Sequence, residues 1–312
     1  MAQFTTTNAV GEREDLSDVI TRIDPDETPI FSALKKESGN GVFVEWQVQE
    51  LAAASATNYQ NEGADATYET PTATTRLGNY MQISQKDAQV SGTLDAVDKA
   101  GRDKEVAYQK VLKGLELRRD IEKYLHSDTA RSGSDPRKAG TLSSWITNVD
   151  DASGTSAATG DGSDVPDMAG TNRAMTLAQI DNAMQAAYTD GGQPNMLVVS
   201  PSKKAAFSDL NSGSVATNQI NYTAPREAAI VGSVSLYLSD FGQLDVVIDR
   251  FASDDRVYLL DSDYASVCTL PNRNFTVQEM AKTGDSEKFQ IITEWTLKVS
   301  APKAHAAVYD LS

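Results

Sequence analysis

The chain has 312 residues, of which 40% are hydrophobic, and this is enough to bury a sizeable core in one or two domains. Its formal net charge is -16, with 44 acidic and 28 basic residues, so the chain as a whole repels nucleic acid and anionic membranes. The sequence has neither an apolar run long enough to span a membrane nor a secretion signal at its start. We therefore expect a protein that stays in the cytoplasm and reads no nucleic acid directly.

The segment through Ser38 is predicted to form an extended arm. Pro25 and Pro29 rule out one long helix, and the pattern indicates a short helix from Asp15 and a second turn after Thr28-Pro29. Ile30, Phe31 and Leu34 lie at helical spacing, and we expect them to dock on a neighbouring molecule. On this hypothesis Phe31→Asp would block association and leave a folded monomer.

A strand and a long loop follow the arm. From Gly41 the residues alternate, with Val42, Val44, Trp46 and Val48 on one face, and a second strand is predicted around 80–84. The segment 51–68 between them is rich in small and polar residues, which indicates a protruding two-stranded loop. Because an isolated ribbon is marginally stable in water, the loop implies a partner surface.

The rest of the chain is typical of an α+β fold. A long helix is predicted from Leu94 to Leu125, capped by Thr93, and a flexible insertion is predicted at 150–164. A helix from Thr176 to Tyr188, a strand at Met196–Val199 and a helix after Pro201 come next. The remaining predicted strands are Val234–Leu238, Leu244–Ile248, Arg256–Leu260, Phe275–Gln278 and a long final pair from Lys288 to Val308.

No catalytic, cofactor-binding or metal-binding residue is predicted. His126 and His305 are expected to lie at the surface, without partners at ligand spacing, and Asp161–Asp164 lacks the pattern of a calcium loop. The single cysteine, Cys268, is expected to be a buried structural thiol, because its neighbours are typical of a strand.

One pair of short motifs offers an enzymatic alternative. Ser200-Pro201-Ser202-Lys203 and Lys282-Thr283-Gly284 match strings of the penicillin-recognising serine hydrolases. In those enzymes a Ser-Asp-Asn element lies between the two strings, whereas here Ser208-Asp209 is followed by Leu210. The second string is also predicted to be a hairpin turn, so we interpret both as chance matches.

The order of arm, ribbon-like loop, long helix and mixed α/β region ending in strands resembles the Hong Kong 97-like fold of tailed-phage capsid proteins. The segment Gly11–Ile20, with Asp24-Pro25 and Thr28–Phe31, is similar to a branch of phage major head proteins, and Val199–Lys204 adds a weaker similarity. The resemblance implies a structural major capsid protein and no enzyme. Its subunits would exchange arms and E-loops to form an icosahedral shell around double-stranded DNA.

The resemblance also implies a division of the chain. It predicts an N-terminal arm at 1–38, an E-loop with its base strands at 39–93 and a peripheral (P) domain with the spine helix at 94–145. An axial (A) domain at 146–264 and the return strands of the P domain at 265–312 complete the division.

The partners implied are further copies of the chain in hexamers and pentamers, a separate scaffolding protein because the chain begins almost at the arm, a portal and a decoration protein. The DNA would be enclosed without sequence-specific binding, no membrane would be involved, and the shell would assemble in the bacterial cytoplasm and become the virion capsid. The stretch from Val42 to Gln85 has no Lys, so we expect a shell without covalent cross-links. The alternatives are an encapsulin-like compartment and another virion component, such as a tail tube or decoration protein.

Overall fold

The computed structural model describes residues 23–66, 68–214 and 235–312. The helix predicted from Asp15 and the start of the strand predicted at Val234 lie outside these residues. Within them, every helix is too short or too polar to cross a bilayer. The five α-helices in these ranges are α1 (Pro29–Ala33), α2 (Gly92–Ala96), α3 (Glu105–Leu125), α4 (Leu177–Thr189) and α5 (Pro201–Ser214).

A five-stranded sheet is built around one long strand, β12. This strand pairs antiparallel with β4, β10 and β11, and β1 adds to β10 in parallel. The strands are β1 (Lys35–Ser38), β4 (Gln82–Ser91), β10 (Ala265–Thr269), β11 (Thr276–Glu279) and β12 (Ser286–Val299). Helix α3 packs on β4 and β12 through Leu117 and Ile121, both buried one turn apart.

A six-stranded sheet has the order β5-β13-β9-β6-β8-β7. Its strands are β5 (Asn148–Asp150), β6 (Met196–Val199), β7 (Leu236–Ser239), β8 (Gly242–Ile248), β9 (Val257–Leu260) and β13 (Ala306–Val308). All four residues of β6 and of β9 are buried, because these strands lie inside the sheet and are covered. Helix α4 packs on this sheet and begins with a capping box between Thr176 and Gln179.

The two remaining strands, β2 (Phe43–Val48) and β3 (Thr75–Tyr80), form a separate antiparallel ribbon. The α+β class is therefore confirmed, as are the helix predicted from Thr176 to Tyr188, which is α4, the strand at 196–199 and the helix after Pro201. The strand expected around residues 80–84 is instead two strands, β3 and β4, which meet at Met81.

The long helix predicted from Leu94 is wrong in its first part. The chain forms the short α2, which is capped by Ser91 and not by Thr93, and then runs without helix to Glu105. Gly101 has φ +76°, a left-handed conformation that a continuing helix does not allow. Asp95 then accepts a hydrogen bond from the backbone N–H of Val106, so a carboxylate from α2 caps the start of α3.

The final pair of strands is also corrected. Strand β12 belongs to the five-stranded sheet, whereas β13 pairs with β5 and β9 in the six-stranded sheet. The two strands are separated by a short 3-10 helix, Pro302–Ala304. The alanines of β13 are small and fully buried, which lets this strand fit between two others.

The apolar residues of the arm lie inside their own subunit. Ile30, Phe31 and Leu34 are 0%, 7% and 2% exposed and belong to the main core, together with Ile121 and Leu125 of α3. The ring of Phe31 also meets Phe275 edge-on at 6.3 Å. The expectation that these residues dock on a neighbour is wrong, because α3 already provides an apolar surface for them.

The segment 150–164 is packed and not a free insertion. Ala158, Gly160 and Gly162 are buried, and the backbone of Gly162 bonds to Arg131 and Ser144. A Cβ atom on Gly162 would lie 2.6 Å from the ring of Trp145, which shows how closely the segment covers this ring. The backbone of this segment lies so close to the ring of Trp145 that only a small residue fits at Gly162, and this explains the small residues in the low-complexity sequence.

Candidate assembly surface

The ribbon formed by β2 and β3 is attached to the core by aromatic contacts. The rings of Trp46 and Trp145 lie 5.3 Å apart and join the ribbon to the core, whereas Phe43 and Tyr80, with rings 4.5 Å apart, pair β2 with β3 inside the ribbon. The side chain of Arg131 donates to the carbonyl oxygen of Gly78 and lies over the ring of Phe43. These contacts fix the base of the ribbon and thereby the direction in which its loop leaves the subunit.

The loop at the end of the ribbon comprises residues 49–74. Every described residue of this loop is exposed, and Leu51, Tyr59 and Tyr68 are 97%, 79% and 93% exposed. Between residues 51 and 71 the recorded hydrogen bonds are local, such as Ala64 N–H to Asn61 O at 3.1 Å. The predicted protruding loop is confirmed, but its strands end at Val48 and Thr75, so only the base of the loop is two-stranded.

The charged side chains of the loop are all acidic. Between residues 49 and 74 it contains the acidic residues Glu50, Glu62, Asp65 and Glu69 and no Lys or Arg. Glu50 pairs with Lys303 at 2.8 Å, near the point where the loop leaves the ribbon. An acidic loop that also exposes two tyrosines and a leucine is suited to a surface that offers both apolar area and positive charge.

Both histidines are buried, contrary to the expectation of surface positions. His126 is 2% exposed and its Nε2 lies 2.6 Å from Asp249 Oδ2, with Glu122 beside them. His305 is 1% exposed, and its Nδ1 accepts the backbone N–H of Asp261. Glu122 precedes His126 by four residues, so the helical spacing in the sequence could have indicated this pair.

The carboxylates beside His126 have opposite pKa shifts. Burial raises the pKa of Glu122, and the neighbouring Asp249 adds to this rise. Burial alone would raise the pKa of Asp249 as well, but the hydrogen bond and the charge of His126 lower it overall. Glu122 also accepts the backbone N–H groups of Ile30 and Phe31 at 2.7 and 2.8 Å, and thereby holds α1 against α3.

The serine of the Ser-x-x-Lys string has a structural role. Ser200 Oγ accepts the backbone N–H of Lys203 at 3.3 Å, which makes Ser200 the N-cap of α5, with Pro201 as the first helical residue. The ammonium group of Lys203 donates to the carbonyl oxygen of Ser312, and Asp254 accepts from both Ser200 and Ser202. Lys282–Gly284 lies in the turn between β11 and β12, as predicted.

The remaining residues singled out from the sequence have ordinary structural surroundings. Cys268 is buried in β10, as expected, and burial raises the pKa of its thiol to about 11. Asp161 accepts hydrogen bonds from Thr159 and Ser163 within its own turn. Each of these side chains therefore stabilises the local fold.

The fold and the exposed loop define a class of protein. Two sheets, a long helix packed on the five-stranded sheet, and an extended loop that stands off the subunit form a Hong Kong 97-like capsid subunit. The same fold occurs in the capsid of cyanophage A-1(L), with a TM-score of 0.65 at 16% identity, and the match covers 98% of each chain. The SrpI encapsulin of Synechococcus elongatus also shares it, with a TM-score of 0.60 at 11% identity over 97% of this chain and 93% of that one.

Residues 2–312 match the SU10 major capsid protein family, and the chain belongs to this family. A major capsid protein of Escherichia phage Phieco32 is 26% identical over 344 aligned positions, which cover 98% of this chain and 96% of that protein. The protein is thus a major capsid protein of a phage, a structural subunit of the virion shell. The resemblance drawn from the sequence is confirmed.

Proposed function

We propose that subunits join when the loop at residues 49–74 of one copy lies across a neighbouring copy, and that the resulting icosahedral shell encloses double-stranded DNA. The observation that carries this proposal is the exposure of Leu51, Tyr59 and Tyr68 on a loop whose hydrogen bonds between residues 51 and 71 are local. Large apolar side chains held in water this way are typical of interaction surfaces. Covering them on a neighbour would make loop ordering and assembly one event.

The arm contributes to this exchange only through residues ahead of α1. Because Ile30, Phe31 and Leu34 are packed on α3 of their own subunit, the part of the arm free to reach a neighbour ends near Thr28. Residues 1–22 lie outside the described structure, and their exchange stays a prediction.

The shell is proposed to be non-covalent and to have no enzymatic activity. The ribbon and its loop contain no Lys from Val42 to Gln85, so the loop offers no amine for an isopeptide bond to a neighbour. The engagement of Ser200 and Lys203 in capping α5 and holding the C-terminus supports the absence of hydrolase activity. Shells heated in detergent should migrate as single subunits, and a ladder of joined subunits would refute the first point.

The two proposed domains each correspond to one of the two large sheets. The five-stranded sheet with α3 would be the peripheral domain, and the six-stranded sheet with α4 and α5 the axial domain. The proposed boundaries at 38, 93, 145 and 264 are kept, but β13 near the C-terminus would belong to the axial domain, because it pairs with β5 and β9.

Further partners are proposed from the family resemblance. They are a scaffolding protein, a portal and a decoration protein, with assembly in the bacterial cytoplasm. The net charge of -16 supports a container that holds DNA without gripping its phosphates. The alternative of an encapsulin-like compartment shares the fold, and the contents of purified particles distinguish the two: DNA supports the virion, whereas a cargo protein without DNA supports the compartment.

The loop is tested by a variant carrying Leu51→Ala, Tyr59→Ala and Tyr68→Ala. Because all three side chains are exposed in the single subunit, we expect the unfolding midpoint of the unassembled chain to stay unchanged and the yield of closed shells in electron micrographs to collapse. Asn58→Ala, in the same loop, is the matched control and should assemble normally. Normal shells from the triple variant would contradict the proposal.

A further inference from the structure

Three side chains from separate parts of the chain converge in the interior. Glu122 lies in the last turn of α3, His126 is the C-cap residue directly after this helix, and Asp249 directly follows β8 of the six-stranded sheet. One ligand atom of each lies within 4.8 Å of the others. Residues four apart on a helix point to the same side, so α3 presents a carboxylate and an imidazole together to the end of β8.

The cluster places two carboxylates and an imidazole in a dry place. Glu122 and Asp249 are fully buried and His126 nearly so. Among the described residues Asp249 forms its ion pair with His126, and no Lys or Arg forms an ion pair with either carboxylate, although the charge of Lys36 acts on Glu122. Two buried carboxylates facing one another are costly unless a proton or a metal cation lies between them.

Backbone donors hold the carboxylates in position. Glu122 accepts the N–H groups of Ile30 and Phe31, and Asp249 Oδ1 accepts the N–H of Phe251 at 2.8 Å. Asp249 Oδ2 is thereby left facing His126 Nε2. The ring of His126 is stacked on Tyr258, with centroids 6.0 Å apart. Hydrogen bonds that orient carboxylates from outside are the usual surroundings of metal ligands.

We propose that Glu122, His126 and Asp249 bind one divalent transition-metal ion, of which Zn²⁺ is the best match. Coordination through His126 Nε2, Asp249 Oδ2 and a Glu122 oxygen would replace the hydrogen bond now formed between the first two. One imidazole nitrogen with two carboxylate oxygens is a donor set that Zn²⁺ accepts, whereas Ca²⁺ and Mg²⁺ prefer oxygen ligands alone.

The ion would tie three parts of the subunit together. Glu122 already holds the first turn of α1, so metal, carboxylate and backbone N–H groups would form one continuous chain from the arm through α3 to the six-stranded sheet. Because the ligands are assembled only in the folded chain, the ion would stabilise the folded state and leave the unfolded state little changed.

The first experiment measures metal in the full-length protein purified without chelator and without a histidine tag. Elemental analysis of shells or of unassembled chain should find close to one equivalent of zinc per subunit. Removal by chelator should lower the melting temperature, and added zinc should restore it. Zinc far below one equivalent, together with a melting temperature insensitive to both chelator and zinc, would overturn the proposal.

Variants then assign the ligands. Glu122→Gln and Asp249→Asn keep the shape of each side chain, and each should weaken zinc binding beyond the roughly 10- to 100-fold loss typical of a change outside the ligand shell. His305→Gln is the matched control, since His305 is equally buried but bonds to a backbone N–H, and this variant should keep its zinc. If a ligand variant fails to fold, cobalt titrated into the metal-free wild-type chain decides: the visible absorption of cobalt bound to nitrogen and oxygen supports the site, and a spectrum of aqueous cobalt contradicts it.

Discussion

The indole rings of Trp46 and Trp145 lie 5.3 Å apart at an angle of 41°, and this contact joins the ribbon to the main core. Trp46 is half-buried on β2, whereas Trp145 is one of the largest fully buried side chains in the part of the chain that the structure describes. The direction of the loop at residues 49–74 is therefore set by a residue that belongs to the hydrophobic core.

Trp46→Ala should loosen the ribbon without unfolding the subunit. The paired rings contribute about 1 kcal/mol beyond the apolar area they bury, and that contribution is lost in the variant. We expect faster protease cleavage within residues 49–74 and fewer closed shells, with a smaller change in the unfolding midpoint. Trp46→Phe keeps an aromatic ring and should restore most of the protection. Equal cleavage rates for wild type and Trp46→Ala would show that the contact does not hold the ribbon.

Phe31→Asp should destabilise the single subunit. The ring of Phe31 is buried between Phe275 and the C-terminal half of α3, so the change removes core packing and buries a charge that the neighbouring Lys36 and Arg118 offset only in part. We expect a loss of at least about 3 kcal/mol in the free energy of unfolding. Denaturant unfolding of the unassembled chain measures it. The exposed Ile23 offers the control Ile23→Asp, which should leave stability unchanged. A stable monomer of Phe31→Asp that fails only in assembly would instead support docking on a neighbour.

Gly162→Ala tests whether the segment at residues 150–164 is packed. Gly162 has φ +81°, and its added Cβ would lie 2.6 Å from the ring of Trp145. Gly284 also has a positive φ, +101°, but open space around it. Both alanines incur the backbone strain, so the difference between them isolates the contact with Trp145. We expect Gly162→Ala to be less stable by about 1–3 kcal/mol than Gly284→Ala in denaturant unfolding. Equal stabilities would mean that the segment does not cover the ring.

His305 should make the subunit sensitive to mild acid. Burial lowers the pKa of His305 from 6.5 to about 4. Above pH 6.5 the ring is neutral in both folded and unfolded chains, so its contribution is constant. Between pH 6.5 and 4 the unfolded chain binds a proton that the folded chain does not, and stability falls as the pH falls, by up to roughly 3 kcal/mol.

The measurement compares unfolding free energies of wild type and His305→Gln across this pH range. Carboxylates common to both chains cancel in the difference, so the wild type should lose more stability than the variant between pH 6.5 and 4. Parallel curves would show that His305 does not titrate on unfolding.

Local patterns in the sequence were sufficient to predict several helices and strands. The capping residue Thr176 with Gln179 marks the start of α4, and Pro201 marks the start of α5 after a fully apolar strand. The alternation from Phe43 to Val48 and the small, polar residues after it predict a ribbon with a protruding loop. These signals act between residues close in the chain, which is why they can be interpreted without the tertiary structure.

Long-range contacts explain what could not be predicted. The pairing of β13 with β5 and β9 depends on strands about 160 and 50 residues away along the chain, since Ala306 pairs with Asn148 of β5 and Leu259 of β9. The burial of the histidines depends on Asp249 and Asp261, which come from other elements. The helical spacing of the apolar residues in the arm showed that they pack on an apolar surface. Periodicity alone does not show whether that surface belongs to the same chain or to another, and the expectation of a neighbouring chain was wrong.

The path of the backbone between the two sheets has a mechanical consequence. Strands β1 and β4 lie in the five-stranded sheet, β5 to β9 in the other, β10 to β12 again in the first, and β13 in the second. The chain thus crosses between the sheets three times along the described strands. A force that pulls the sheets apart is therefore borne at three crossings by the backbone itself and not by side-chain contacts alone.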